Sequence, residues 1–448
     1  MASREAWYSE RNDRSLRYAG RVLPPDRPIL LKLPEESAAS YDNQVSAIVA
    51  TTLLSRMTPA VAFDLPSVDI AAPLPWAGNN LRDHLREIAF AADPAGMFET
   101  RSERDGDYIL TFGRAQSAAT VHGSGWNAFV GPSQSMLPDS AEQNPIGPAL
   151  ASIVAVARLF ALQMKPIDGS HRLNAFNWRS DVLQESVNYD ATHDFGSIWT
   201  IGTGSVGTAA LYFLTLATRR FSSVMFDMDF VKIHNLDRSP IFTAHDTDLK
   251  TKKVHATAAY LRSVGVRNVI PEPEPLDNSD LWLSRQAGTP DLVIAAANER
   301  DVRSLIERSA PPLQIYGTTG ANWEASVVRH VPLVDACSCC LFPPERQELS
   351  TVCATGEATL TTAEETVDAA LPFLSFAAGL MVAAEILKTT IPGYPFSPNR
   401  TTLYTHPEVL PRFVSSSVAR RTNCLCATRR SSVHRAMING TKYESLSR

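Results

Sequence analysis

Apolar positions along the chain recur in two rhythms. Short apolar runs at Pro28 to Leu33, Ala60 to Leu65, Tyr108 to Phe112 and Trp126 to Val130 predict strands. Helical spacing over Asp42 to Met57 and the apolar stretch Ile146 to Met164, opened by Asn144-Pro145, predict helices. The junction between the first strand and the first helix, Pro34 to Tyr41, holds no glycine, so it cannot bring several backbone N–H groups close to a phosphate. This half is expected to bind no nucleotide. From Lys165 to Asp194 the pattern is mixed and polar, and the stretch reads as the connection between halves.

A second set then begins with a strand at Ser197 to Ile201, a glycine-rich turn, an apolar helix through Ala217 and a strand at Ser223 to Phe226. Further strands are predicted at Asp291 to Ala297 and Gln314 to Thr318, and a long apolar helix at Ala370 to Lys388. The fold class is therefore α/β in two halves of similar size, which suggests a diverged duplication. The domains are expected at residues 1–175 and 176–448.

With 448 residues, 44% apolar and 20% charged, the chain has room for two full cores. Its net charge of −5 and the lack of any long basic run give no reason to expect nucleic acid as a partner. The longest apolar stretch, Ala369 to Ile386, carries Pro, Ser, Gly and Glu, so no membrane span is expected. Arg4, Arg11, Arg14 and Arg17 lie scattered among polar residues with no apolar segment behind them, and a soluble cytoplasmic protein is predicted. The six cysteines all fall late, as Cys337, Cys339, Cys340, Cys353, Cys424 and Cys426. That clustering favours metal binding or reactive thiols over a disulfide framework.

Gly202-Thr203-Gly204-Ser205-Val206-Gly207 follows a predicted strand and opens a predicted helix. There, Gly202 permits the tight turn, Gly204 lets backbone approach a phosphate, and Gly207 lets helix and strand pack closely. Asp227 follows about twenty positions beyond Gly207 at a strand end, where its carboxylate can accept hydrogen bonds from both ribose hydroxyls. These features alone fit either a dinucleotide or ATP.

The run Asp227-Met-Asp229-Phe-Val-Lys-Ile-His-Asn235-Leu-Asp-Arg238, with Lys253 after it, resembles the adenylation signature of ubiquitin-activating enzymes and the bacterial ThiF and MoeB proteins. The resemblance extends from about Phe195 to Cys426. It implies two Rossmann-like ThiF-type domains, the N-terminal one degenerate. It also implies that Asp227 holds the ribose of ATP while Asn235, Arg238 and Lys253 contact its phosphates. Fixed cations suit that task, because negative charge builds on the phosphoryl oxygens and on departing pyrophosphate when a carboxylate attacks the α-phosphate. The family's Asp-Asn step, whose aspartate binds Mg²⁺, reads Ala297-Asn298 here, leaving Asp229, Glu299 or Asp301 to supply a carboxylate.

Cys337-Ser-Cys339-Cys340-Leu-Phe-Pro resembles the family's Cys-x-x-Cys segment, and Cys424-Leu-Cys426 stands where a second pair is expected. Cys337, Cys340, Cys424 and Cys426 would then hold a structural Zn²⁺, with Cys339 as a replacement ligand for the short second spacing. By the same resemblance Cys353 occupies the loop in which related enzymes carry a reactive cysteine, able to take an acyl group from the adenylate as a thioester. An arginine among Arg11, Arg14 and Arg17 would be lent to the active half.

The implied activity is adenylation of the C-terminal glycine of a ubiquitin-like protein, followed by transfer from Cys353 to a conjugating enzyme. By analogy this fits bacterial conjugation systems of the kind found in antiviral defence operons, and it is compatible with a homodimer. A sulfur-carrier adenylyltransferase of the thiamine or molybdopterin type, a nucleotide-binding scaffold without turnover, and an NAD oxidoreductase are the competing readings.

Overall fold

In a computed structural model the described residues are 4–24, 27–113, 117, 119–132, 143–164, 169–181, 187–284, 290–297, 300–309, 311–332, 334–341, 360–361, 366–367, 370–394, 397–408 and 410–428. The chain opens with two short helices, α1 (Arg4–Arg11) and α2 (Asp13–Ala19). The first half then runs β1 (Ile29–Lys32), α3 (Tyr41–Met57), β2 (Ala60–Asp64), α4 (Leu81–Ala92), β3 (Met97–Thr100), β4 (Tyr108–Phe112), β5 (Thr120–Ser124), β6 (Asn127–Gly131), α5 (Ile146–Leu162), β7 (His171–Asn174) and β8 (Arg179–Ser180). The second half runs β9 (Ser197–Ile201), α6 (Ser205–Ala217), β10 (Ser222–Phe226), α7 (Ala244–Asp248), α8 (Lys253–Ser263), β11 (Val269–Glu272), α9 (Asp280–Ser284), β12 (Leu292–Ala295), α10 (Arg300–Ser309), β13 (Gln314–Gly320) and β14 (Glu324–His330). It closes with α11 (Ser338–Leu341), the hairpin β15 (Leu360–Thr361) and β16 (Thr366–Val367), α12 (Pro372–Lys388), β17 (Arg400–Tyr404), β18 (Arg412–Ser416) and α13 (Leu425–Thr428).

Each half builds one eight-stranded sheet, in the orders β3-β2-β1-β4-β5-β6-β7-β8 and β11-β10-β9-β12-β13-β14-β17-β18. In both sheets the first five strands are parallel and the last three antiparallel, so the halves share one topology. The stretch read as a connector is therefore not one. It carries β7 and β8, which complete the first sheet, β7 pairing antiparallel with β6 and β8 with β7. These strands are too short, and too polar on one side, to show a period of two. Strand β3 buries only Phe98, and helix α4, whose buried Leu81, Leu85, Ala89 and Ala92 do recur at helical spacing, lies outside the predicted elements.

Strand chemistry explains the layering. Along β9, Ile198 faces the central core while Trp199 and Ile201 face an outer cluster that includes Trp282 and Ile306. On β12, Leu292 and Ile294 likewise point inward, with Val293 and Ala295 outward. A parallel strand buried on both faces reads as a continuous apolar run, which is why these two were legible. Helices α3, α5, α6 and α12 meet between the sheets, and one continuous apolar core runs through both halves.

Candidate functional site

The turn between β9 and α6 consists only of Gly202, Thr203 and Gly204. Gly202 has φ +89° and a Cβ there would lie 2.7 Å from the backbone nitrogen of Ala297; a Cβ on Gly207 would meet the carbonyl of Gly202 at 2.0 Å. Both positions thus require glycine for backbone packing. Gly204 lines the cleft, and no protein atom would meet a side chain there.

Above this turn lies a cleft of about 370 Å³. Its walls are the ends of three neighbouring strands, namely Ile201 to Gly202, Phe226 to Asp229 and Ala296 to Ala297, together with Lys253, Leu276, Val302 and Leu305. The strand order reverses between β9 and β12, so the cleft sits at the switch point where open α/β sheets take their ligands. In the first half the equivalent junction runs from Leu33 to Ser40, lacks glycine and contains a short 3₁₀ turn at Glu35–Ser37.

Asp227 is fixed before any ligand arrives. One carboxylate oxygen accepts the N–H of Thr203 at 2.8 Å and its hydroxyl at 3.2 Å, and the other accepts the N–H of Asp229 at 3.0 Å. A carboxylate offers about four acceptor positions. As it stands Asp227 takes one further hydroxyl, on Oδ1, and a second when the Thr203 hydroxyl rotates away.

Lys253 opens α8 and is bonded to the Asp229 carboxylate at 2.7 Å. Burial would raise the Asp229 carboxyl, but the hydrogen bond and charge of Lys253, with Lys232 and Lys252, hold it below its ordinary value. Asn235 caps its own turn by accepting the N–H of Lys232 at 2.9 Å. Arg238 is largely buried outside the cleft wall and donates to Asp237 at 3.1 Å. Burial first, then the charges of a group of four cations, Arg238, Arg14, Lys232 and Lys253, push the His234 imidazole down to about 3.

Among the three arginines of the lead, Arg14 is the one whose charge acts on His234, while both Arg11 and Arg14 act on Asp237. Arg11 is fully buried against Asp93 at 3.0 Å and against the carbonyl of Ser55, while Arg17 pairs with Asp13 at 2.8 Å. Ser15, next to Arg14, donates to Asp237 at 3.0 Å. Ser15, Thr203, Lys232, His234 and Asp237 were missed as site residues. Four of them lie inside the quoted motifs, and Ser15 carries no local signal.

Ala297 packs against the glycine turn, where a carboxylate would have met magnesium. Of the proposed substitutes, Asp229 is in the cleft wall, paired with Lys253. Glu299 and Asn298 lie outside the described residues, as does Cys353.

Cys337, Cys340, Cys424 and Cys426 are buried together, with all four Sγ atoms within 4.8 Å of one another. Cys337 and Cys424 stand 3.3 Å apart and Cys340 and Cys426 3.5 Å, too far for disulfides. With Zn–S bonds of about 2.3 Å a tetrahedral site needs sulfurs roughly 3.8 Å apart, so these four fit zinc. The short Cys424-Leu-Cys426 spacing is accommodated because α13 begins between the two cysteines, and Cys339 packs beside the cluster without being needed as a ligand. Among the described residues no helix is long and apolar enough to cross a membrane.

Among solved structures, the chain is similar to E. coli MccB in complex with MccA-N7isoAsn, at 15% identity and a TM-score of 0.38, over 52% of this chain and 66% of that one. MccB with ATP matches at 13% identity and a TM-score of 0.39, over 70% and 98% respectively. PaaA matches at 18% identity and a TM-score of 0.37, over 50% and 73%. At these values the likenesses carry no argument about substrate. No curated protein matches the chain. The model of the ThiF family matches residues 191–426, which span more than half of the sequence and hold the glycine turn, Lys232, Arg238 and Lys253 and all four clustered cysteines, and the chain belongs to that family.

Proposed function

We propose that the chain is an adenylyltransferase that activates the C-terminal carboxylate of a protein with ATP, the protein being a ubiquitin-like one. The observation that carries this reading is the cleft at the strand switch point, in which Lys253 stands with the glycine turn and with an Asp227 already held by the turn's own Thr203. An NAD site would have no use for that charge.

In the proposed reaction the substrate carboxylate oxygen attacks the α-phosphorus. The bond from that phosphorus to the β-phosphate bridging oxygen breaks, and pyrophosphate leaves with the electron pair. The backbone at Gly202 to Gly204 and the N-terminus of α6 face the phosphates, Asp227 orients the ribose, and Lys253, released from Asp229, joins Arg238 in countering the charge that develops. Asn235 keeps their turn in shape and, with Asn298, completes the nucleotide contacts. Mg²⁺ would be held by Asp229 and would screen charge on the triphosphate. Zn²⁺ at the four cysteines would tie the C-terminal segment to α11.

Cys353 then accepts the acyl group. Its thiolate attacks the acyl carbon, AMP departs, and a conjugating enzyme collects the cargo from the thioester. The first half acts as a degenerate adenylation domain, a reading supported by its shared topology and its glycine-free junction. ATP–pyrophosphate exchange in the presence of small proteins ending in glycine tests the proposal. Exchange that depends on the carrier supports it, and with Cys353→Ala exchange should persist while any thiol-labile protein adduct disappears. Ala297, in place of the expected acid, favours a second reading, a nucleotide-binding scaffold. ATP binding with no exchange for any carrier would decide for it.

A further inference from the structure

Arg56 belongs to the last turn of α3 in the first half, yet it is 2% exposed and its bonds cross into the second half. Its Nε donates to the carbonyl of Ser239 at 2.6 Å, and one terminal nitrogen donates to the carbonyls of Pro240 at 2.9 Å and Phe242 at 3.1 Å. The other terminal nitrogen returns to Thr52 of its own helix at 2.9 Å. Ser239 directly follows Arg238, and it is also where three parts of the site are joined. Its N–H donates to the carbonyl of Asn235, its hydroxyl meets that of Thr208 at 2.9 Å, and Thr208 donates to the carbonyl of Gly204 at 2.7 Å.

A reciprocal contact exists, and it is weak. Arg219, just beyond α6, donates to the carbonyl of Pro73 in the first half at 2.9 Å, at an exposed position. Both arginines follow or end the first helix of their half, and both reach a proline carbonyl after the second strand of the other half. Only the arginine aimed at the half with the cation group is buried and makes three bonds across the interface. A planar guanidinium can hold several carbonyls in one fixed arrangement, which a lysine cannot reproduce.

We infer that Arg56 is a positioning residue for the triphosphate, clamping the Ser239–Phe242 strand of backbone so that Arg238 and Asn235 stand in register with the glycine turn. This rests on the adenylation reading and adds to it a task for the half that binds no nucleotide: it shapes the phosphate end of its neighbour's site. The adenosine end, held by Asp227 and the apolar cleft wall, does not depend on Arg56.

The test is calorimetric titration of the full chain with ATP and, separately, with adenosine, for the wild type, Arg56→Met and Arg56→Lys. Arg56→Met should weaken ATP by about tenfold to a hundredfold while adenosine stays within about twofold, and Arg56→Lys should recover part of the loss. A purely structural role would weaken both ligands together, and that result overturns the inference, as does unchanged ATP affinity in Arg56→Met. Should Arg56→Met fail to fold, Arg56→Lys decides alone, since selective weakening of ATP supports the role and wild-type affinity overturns it. A wild type that binds adenosine but not ATP sinks the adenylation reading itself, and the role of Arg56 with it.

Discussion

At the scale of single residues, the charged groups of the candidate site are held by bonds to their own neighbours. Lys253 is 11% exposed at its side chain and is parked on Asp229, a surface carboxylate it can exchange for phosphate oxygen. Removing it with Lys253→Ala deletes one charge-assisted contact and should weaken ATP by about tenfold to a hundredfold, read by titration calorimetry, with little change in melting temperature. An equal affinity for ATP would remove Lys253 from the phosphate site. A second residue-scale expectation concerns His84, stacked on Trp76 at a centroid distance of 4.5 Å. Burial pushes its imidazole down to about 4, and exposed Glu87 at 3.8 Å does not offset this. The folded state therefore binds the proton less readily than the unfolded chain, so the contribution is complete above about pH 6.5 and is lost as pH falls toward 4. Between pH 7 and pH 5 this should cost about 2 kcal/mol, and His84→Gln should flatten that part of a melting-temperature profile against pH.

At the scale of elements, what could be read from the sequence followed burial and motif spacing. Strands β9, β12 and β4 and helix α12 were legible because their apolar runs are continuous, and the glycine turn because backbone packing against Ala297 and Gly202 admits nothing larger. Strands β7 and β8 were hidden, since four and two residues are too few for a period to show. The cysteine pairing was legible only through family resemblance. Nothing in Arg56 or Ser15 announces a contact some two hundred residues away, because such contacts are properties of the assembled interface. The four-cysteine element makes its own prediction. One zinc per chain should be found by elemental analysis, and Cys426→Ser should lose it and lower the melting temperature by several degrees, since the metal holds α13 to α11. A metal-free native protein of unchanged stability would contradict this.

At the scale of the whole molecule, the two halves share one apolar core and are expected to unfold together. Helices α3, α5, α6 and α12 share a core, and the buried set of Trp178, Glu385 and Lys388 adds polar ties, with the Glu385 carboxylate accepting from Trp178 at 2.7 Å and from Lys388 at 2.9 Å. A fragment of residues 191–448 would expose the apolar sides of α6 and α12, and the intact chain should melt in one cooperative transition in which the calorimetric and van't Hoff enthalpies agree. Two separated transitions would show that each half is independently stable. Across the shared interface, α2 brings Ser15 to Asp237 and α3 brings Arg56 to the backbone that follows Arg238. The most direct test of the central claim is a crystal structure of the full chain with ATP. The account predicts the ribose on Asp227 and the phosphates running past Gly204 to Lys253 and Arg238. A nucleotide bound elsewhere, or phosphates pointing to solvent with both cations turned away, would contradict it.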